Sequence, residues 1–143
     1  LRKILLIVAL ALVFQAWTYP EEELINLCNE IRREHDLPPL TINWEVARVA
    51  RHKTEDMSRH NYFGHDSPVY GSFRDMLKNF NIPHSSAGEN IASGSNTARA
   101  VVDAWMASPG HRRNILSESF TEAGAGYSSN GDFHYWSLIL LKP

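Results

Sequence analysis

Apolar positions along the chain follow a helical period first and an extended one later. Over residues 20–35, Leu24, Leu27, Cys28 and Ile31 recur at i, i+3, i+4 and i+7, the stripe of an amphipathic helix. Thr18 with Glu21 offers it a capping box, and Pro20 suits its first turn. Pro38-Pro39 breaks the chain. A second helix is predicted from the N-cap Asn43 to about Arg59, with Trp44, Ala47, Ala50, Thr54 and Met57 on its inner face. A third starts at Ser72, with Asp75 three residues on, and buries Phe73, Met76, Leu77 and Phe80. A fourth covers about residues 96–107, turning Val101, Val102, Ala104 and Trp105 inward. Ser108-Pro109 ends it and caps a short turn over residues 110–116.

After Phe120 the period becomes two. Residues 123–128 and 133–141 read as strands joined around Asn130-Gly131, a strong hairpin signal. In the second, Phe133, Tyr135, Ser137, Ile139 and Leu141 share one face, and His134, Trp136, Leu138 and Leu140 share the other. Both faces are largely apolar, so this strand should be central, with helices above and below. Helices first and sheet last make one α+β domain.

The N-terminus follows a different logic. Arg2 and Lys3 precede an apolar run over residues 4–14, then Gln15-Ala16-Trp17. That is the layout of a secretory leader, and the run is shorter than the roughly 20 residues of a membrane span. Residues 1–17 are therefore read as a signal peptide, with an uncleaved signal-anchor and a buried helix as alternatives, and residues 18–143 as the domain. The chain is expected outside the cell or tethered to it. Its 143 residues fit one domain. Fourteen basic and 16 acidic residues give a net charge of −2, which becomes −4 without Arg2 and Lys3. Such a surface is a poor nucleic-acid partner. The single cysteine excludes an internal disulfide and a cysteine-rich zinc site. An exported chain without disulfides suits a bacterial cell. A monomer is expected.

Seven histidines are the first candidates for chemistry. His52 and Asp56 stand at i, i+4, a spacing as common on solvated helix faces as in metal sites. His35 and His60 sit at helix ends, where a cationic ring suits the dipole; His84 and His134 have no evident partner. His65 and His111 differ, because each lies in a Gly- and Pro-shaped segment, as does Glu89 in Gly88-Glu89-Asn90-Ile91. Titratable residues held in such loops are better functional candidates than those on helix faces. Spacing alone does not show that the three converge. The chain has no Gly-x-Ser-x-Gly elbow, Ser-x-x-Lys or His-Glu-x-x-His, and Gly124-x-Gly126 lacks the rest of a dinucleotide loop. Cys28 falls on an apolar stripe and reads as a small buried hydrophobe. Arg112-Arg113 is too short for an anion patch.

An ordered set of segments carries a resemblance. Leu37-Pro38-Pro39-Leu40, Gly64-His65-Asp66-Ser67-Pro68, Gly88-Glu89-Asn90-Ile91, Trp105 with Ser108-Pro109-Gly110-His111-Arg112-Arg113-Asn114-Ile115, Gly124-Ala125-Gly126-Tyr127 and Tyr135-Trp136 occur in sequence. Together they resemble the CAP superfamily of cysteine-rich secretory, antigen-5 and pathogenesis-related (SCP-like) proteins, in its disulfide-free bacterial secreted branch. The resemblance implies a three-layer α-β-α sandwich with a central antiparallel sheet. It also implies a solvent-open cavity where His65, Glu89 and His111 converge. Many members place a second Glu three residues after the helix Trp, and here Ser108 stands there. Two imidazoles and a carboxylate suit Zn2+ or another divalent cation with an open coordination position. The implied role is a non-catalytic extracellular domain whose ligand is unknown, lipid or sterol binding being found in various members. A metal-dependent hydrolase, a lipid carrier using the stripe around Phe73 and Phe80, and a vestigial cavity stay open as alternatives.

Overall fold

The two-sided apolar run near the C-terminus forms β4 (Phe133–Lys142), paired on both edges. The computed structural model describes residues 19–143; the expected leader over residues 1–17 and Thr18 lie outside them. Before β4 come α1 (Pro20–Glu34), β1 (Thr41–Ile42), α2 (Trp44–His60), α3 (Phe73–Asn79), β2 (Ser86–Ser93), α4 (Ala98–Met106), α5 (Pro109–Ile115) and β3 (Glu122–Asn130). The strands are ordered β1-β3-β4-β2. Both neighbours of β4 run antiparallel to it, while β1 pairs parallel with the first two residues of β3. The sheet is therefore mixed at one edge rather than antiparallel throughout.

The alternation along β4 builds two cores. Trp136, Leu138 and Leu140 pack with Leu24, Cys28, Val101 and Trp105 from α1 and α4. Ile139 and Leu141 pack on the other face with Val46, Val49, Met76 and Leu77 from α2 and α3. Each fully buried Leu or Ile contributes about 1.5–3 kcal/mol relative to an exposed one. The result is an α-β-α sandwich whose middle layer is apolar on both sides.

Local signals set most boundaries. Asn43 accepts from the backbone N–H of Glu45 and Val46, and Ser72 with Asp75 forms a complete capping box. Other expectations need correction. The N-cap of α1 is Tyr19, without a side-chain bond, so the Thr18–Glu21 box is not its start. Trp44, expected inward, is 64% exposed at the first turn of α2. Val46, Val49, Lys53 and Asp56 are buried there instead, because α2 lies against both the sheet and α3 and so hides a wide face. Thr97 rather than Asn96 caps α4, and Ala104 is exposed. Ser108 occupies the N-cap position of α5 but makes no capping bond. The hairpin turns on Gly131-Asp132, since Asn130 already pairs with Phe133; Gly131 takes the positive φ of 73° that the turn requires.

The largest difference is β2. Its segment, bounded by Gly88 and Gly94, reads in sequence as a Gly-flanked loop. It is the edge strand beside β4, and its outer carbonyls are closed by side chains. Arg74 donates to Ala87 O at 2.8 Å and Trp105 to Ile91 O at 2.9 Å. Side chains that occupy an edge in this way stop another strand from adding to it.

Candidate functional site

Successive residues of a strand point to opposite faces, and in β2 this separates Glu89 from Asn90. Glu89 points to the α2 face, where its side chain is fully buried. Its Oε1 lies 2.8 Å from Nδ1 of His65, and Ser137 Oγ donates to Oε2 at 3.4 Å. His65 stands in the loop between α2 and α3 with half its side chain exposed. Beneath that loop the buried ammonium of Lys53 donates to the His65 carbonyl at 2.5 Å. Burial pulls the Lys53 pKa down, against the opposing pull of Glu89, Asp56 and Asp66. His65, Asp66, Arg74, Glu89 and Asn114 border an open cleft of about 370 Å³.

Asn90 serves the opposite face. Its Nδ2 donates to His111 O at 3.0 Å, and its Oδ1 accepts from Asn114 at 2.8 Å. The His111 ring packs against Trp105, with centroids 6.3 Å apart. The first turn of α5 is thus tied to Asn90 rather than to Glu89. Among the described residues no three His, Cys, Asp or Glu side chains are gathered to hold a metal ion. His65 and Glu89 are brought together. His111 and Ser108 do not border the His65 cleft.

The other candidates have structural roles. Asp56 pairs with His60 at 2.9 Å rather than with His52, and accepts from Tyr62 and Ser67, which fastens the loop after α2. His52 lies against Phe80, and His134 has a partner after all in the Tyr127 hydroxyl, 2.7 Å away. Burial pushes the Cys28 thiol up to about 12, so it is no thiolate at neutral pH. Phe73, Met76 and Leu77 are buried in the core and Phe80 is partly so, which counts against an apolar groove for a lipid beside α3. Sequence reasoning missed Lys53, Arg74 and Asn114; the one signal was a lysine set among Ala50, Thr54 and Met57 on a helix face.

The hydrogen bond to Glu89 raises the His65 pKa, against the burial that lowers it. A raised histidine pKa stabilises the fold below the unfolded value near 6.5, and that contribution fades as pH rises through the folded value. NMR titration of the ring should place His65 above an ordinary histidine, and Glu89→Gln should remove the elevation. A midpoint unchanged by Glu89→Gln would show that the contact carries no charge. For His111, burial and then the charge of His65 lower the pKa, so its ring favours the neutral form. Chemically, a carboxylate orients one ring nitrogen of a half-exposed imidazole. Among the described residues no serine, threonine or cysteine is hydrogen-bonded to a histidine ring, so no hydroxyl or thiol is paired with an imidazole here.

Comparison with known proteins agrees with this architecture. Over 111 residues the chain is 48% identical to the uncharacterized protein YkwD of Bacillus subtilis, covering 78% of this chain and 43% of that protein. It is 38% identical to the uncharacterized membrane protein YlbC of the same organism, covering 87% of this chain and 35% of YlbC. The chain thus spans less than half the length of these relatives. The crystal structure of an extracellular SCP-domain protein from Bacillus anthracis superposes with a TM-score of 0.80 at 35% identity, over 87% of this chain and 40% of that one. Among the described residues no helix is long and apolar enough to cross a membrane. The model of the cysteine-rich secretory protein family matches residues 25–140. With this match across nearly all of the described fold, the chain belongs to the CAP family.

Proposed function

We propose that this chain is an exported, non-catalytic CAP domain that binds its ligand in the cleft beside His65 and Glu89. One observation carries the reading: a fully buried carboxylate presents a half-exposed imidazole to an open cleft of about 370 Å³. A buried charge needs a reason, and here its partner is a half-exposed ring that borders the cleft. Export is supported by the leader pattern of residues 1–17 and by the extracellular relative from Bacillus anthracis. Hydrolysis is not favoured, because Glu89 is engaged by both His65 and Ser137 and Ser108 does not border the cleft. The test is a protein-observed NMR screen with a library of small polar fragments. Hits should shift the signals of His65, Arg74, Glu89 and Asn114 and be lost in His65→Ala. Hits that map only elsewhere sink the reading.

A second reading places a divalent cation at the same pair. It is favoured by the 2.8 Å imidazole–carboxylate contact, and NaASP2, which shares the fold at 13% identity and a TM-score of 0.61, has a crystal structure with Zn2+. His65 and Glu89 offer two donors; among the described residues no third His, Cys, Asp or Glu side chain is gathered with them, and the His111 ring packs against Trp105. A bound cation would neutralise the Glu89 carboxylate. Zinc titrated calorimetrically should bind the native chain about tenfold more tightly than His65→Ala or Glu89→Gln, with His111→Ala nearly unaffected. Equal affinity in native chain and His65→Ala sinks this reading. Loss in His111→Ala as large as in His65→Ala would restore the three-donor centre.

A further inference from the structure

Where the β3–β4 hairpin meets the C-terminus of α2, a second cleft of about 360 Å³ opens that shares no lining residue with the His65 cleft. It is lined by Asn61, Tyr62, Phe63, Asn130, Phe133 and Tyr135, none of them charged. Phe63 and Phe133 are 52% and 47% exposed, although most large apolar side chains of the domain are buried. Asn61 takes the left-handed conformation that ends α2, and Asn130 precedes the hairpin turn. Neither carboxamide makes a hydrogen bond among the described residues.

Tyr135 adds the decisive detail. The residue is only 3% exposed, and its ring packs on Phe133 with centroids 5.2 Å apart. Its hydroxyl has no hydrogen-bond partner among the described residues, unlike those of Tyr62 and Tyr127. Yet no side-chain oxygen there is wholly buried without a partner, so this hydroxyl opens into the cleft it lines.

These groups select among occupants. A charged ligand would be desolvated against walls that offer no counter-charge. A purely apolar partner would strand two carboxamides and a phenol without hydrogen bonds, at about 1–3 kcal/mol for each one buried. A ligand with flat C–H faces, a ring of hydroxyls and no charge meets the rings, amides and phenol together. We propose that this cleft binds a neutral pyranose glycan, stacked on Phe63 and Phe133 and hydrogen-bonded by Asn61, Asn130 and Tyr135.

Tri-N-acetylchitotriose and cellotriose, both neutral, are the probes, titrated into the full chain by calorimetry and by NMR. At least one should bind saturably with shifts confined to these residues. Tyr135→Phe, which removes a single oxygen, and Phe133→Ala, which trims an exposed ring, should each weaken it about fivefold to tenfold. Thermal melting of Phe133→Ala should match that of the native chain and so separate lost binding from lost folding. The proposal is overturned if neither trisaccharide binds, or if binding survives both substitutions undiminished. Retention on neutral phosphatidylcholine vesicles through Phe63 and Phe133, without sugar binding, would assign the patch to a lipid surface instead.

Discussion

Replacing Gly124 or Gly126 by alanine should cost about 3 kcal/mol or more and leave much of the chain unfolded at moderate urea. A Cβ on Gly124 would lie 2.1 Å from the backbone nitrogen of Ala47, and one on Gly126 would lie 2.3 Å from the carbonyl of Ala50. Both obstacles are the backbone of α2, so no side chain can rotate away; the whole helix must lift off β3. Lifting it would also loosen Val46, Val49 and Ala50 from Ile139, in the core beneath the His65 loop. Gly64→Ala is the control, since nothing lies within 4 Å of its added methyl and its φ is ordinary; it should change stability by less than about 0.5 kcal/mol. Urea denaturation measures all three. Gly124→Ala within about 1 kcal/mol of the native chain would show that α2 is not held against the sheet by close packing.

The second large effect is expected at Arg32, which is 1% exposed. Its Nε donates to Pro38 O, its Nη1 to Ile115 O and Ser117 O, each at 2.9 Å, and its Nη2 to Phe120 O at 3.3 Å. No carboxylate pairs with it among the described residues. Ile115 is the last residue of α5, so the negative end of that helix supplies part of the compensating charge. The guanidinium ties α1 to the loop before β1 and to the segment that carries the chain from α5 into β3. Arg32→Met keeps the apolar stem and deletes the donors, leaving buried carbonyls unpaired, and should cost about 3–5 kcal/mol. Arg32→Lys restores a charge without the planar fork and should recover only part of the loss. If Arg32→Met unfolds at the native urea concentration, water satisfies those carbonyls and the staple is dispensable.

Both effects involve residues whose importance is hidden in the one-dimensional pattern. Arg32 continues the series Leu24, Cys28 at intervals of four, yet a charged residue there reads as the solvated end of a helix. Gly124 and Gly126 read as a strand with glycines, and only the approach of α2 shows why a side chain is forbidden. The helices, their Asn43 and Ser72 caps and the two-sided β4 were legible because each depends on neighbours within a few residues. Strand β2 was not, because its pairing with β4 joins Gly88 to Leu140 across the chain and its polar residues serve the cleft and α5. The site was half legible for the same reason. Motif order picked out His65, Glu89 and His111, but the alternation of β2 turns Glu89 toward His65 while Asn90 points to the other face and bonds the backbone of His111.

By itself, then, the sequence determined the helices and the C-terminal hairpin, a middle strand covered on both faces, the family and the identity of the histidine and glutamate worth examining. These follow from periodicities and motifs written in local residue choice. Tertiary structure decided that the sheet has one parallel edge, that His65 and Glu89 pair, that a lysine and an arginine lie buried, and that aromatic and amide groups from α2 and the hairpin share an uncharged cleft. Each of these depends on contacts between residues far apart in the chain, and on which face of a strand or helix a neighbour covers. Spacing along one segment carries no record of that.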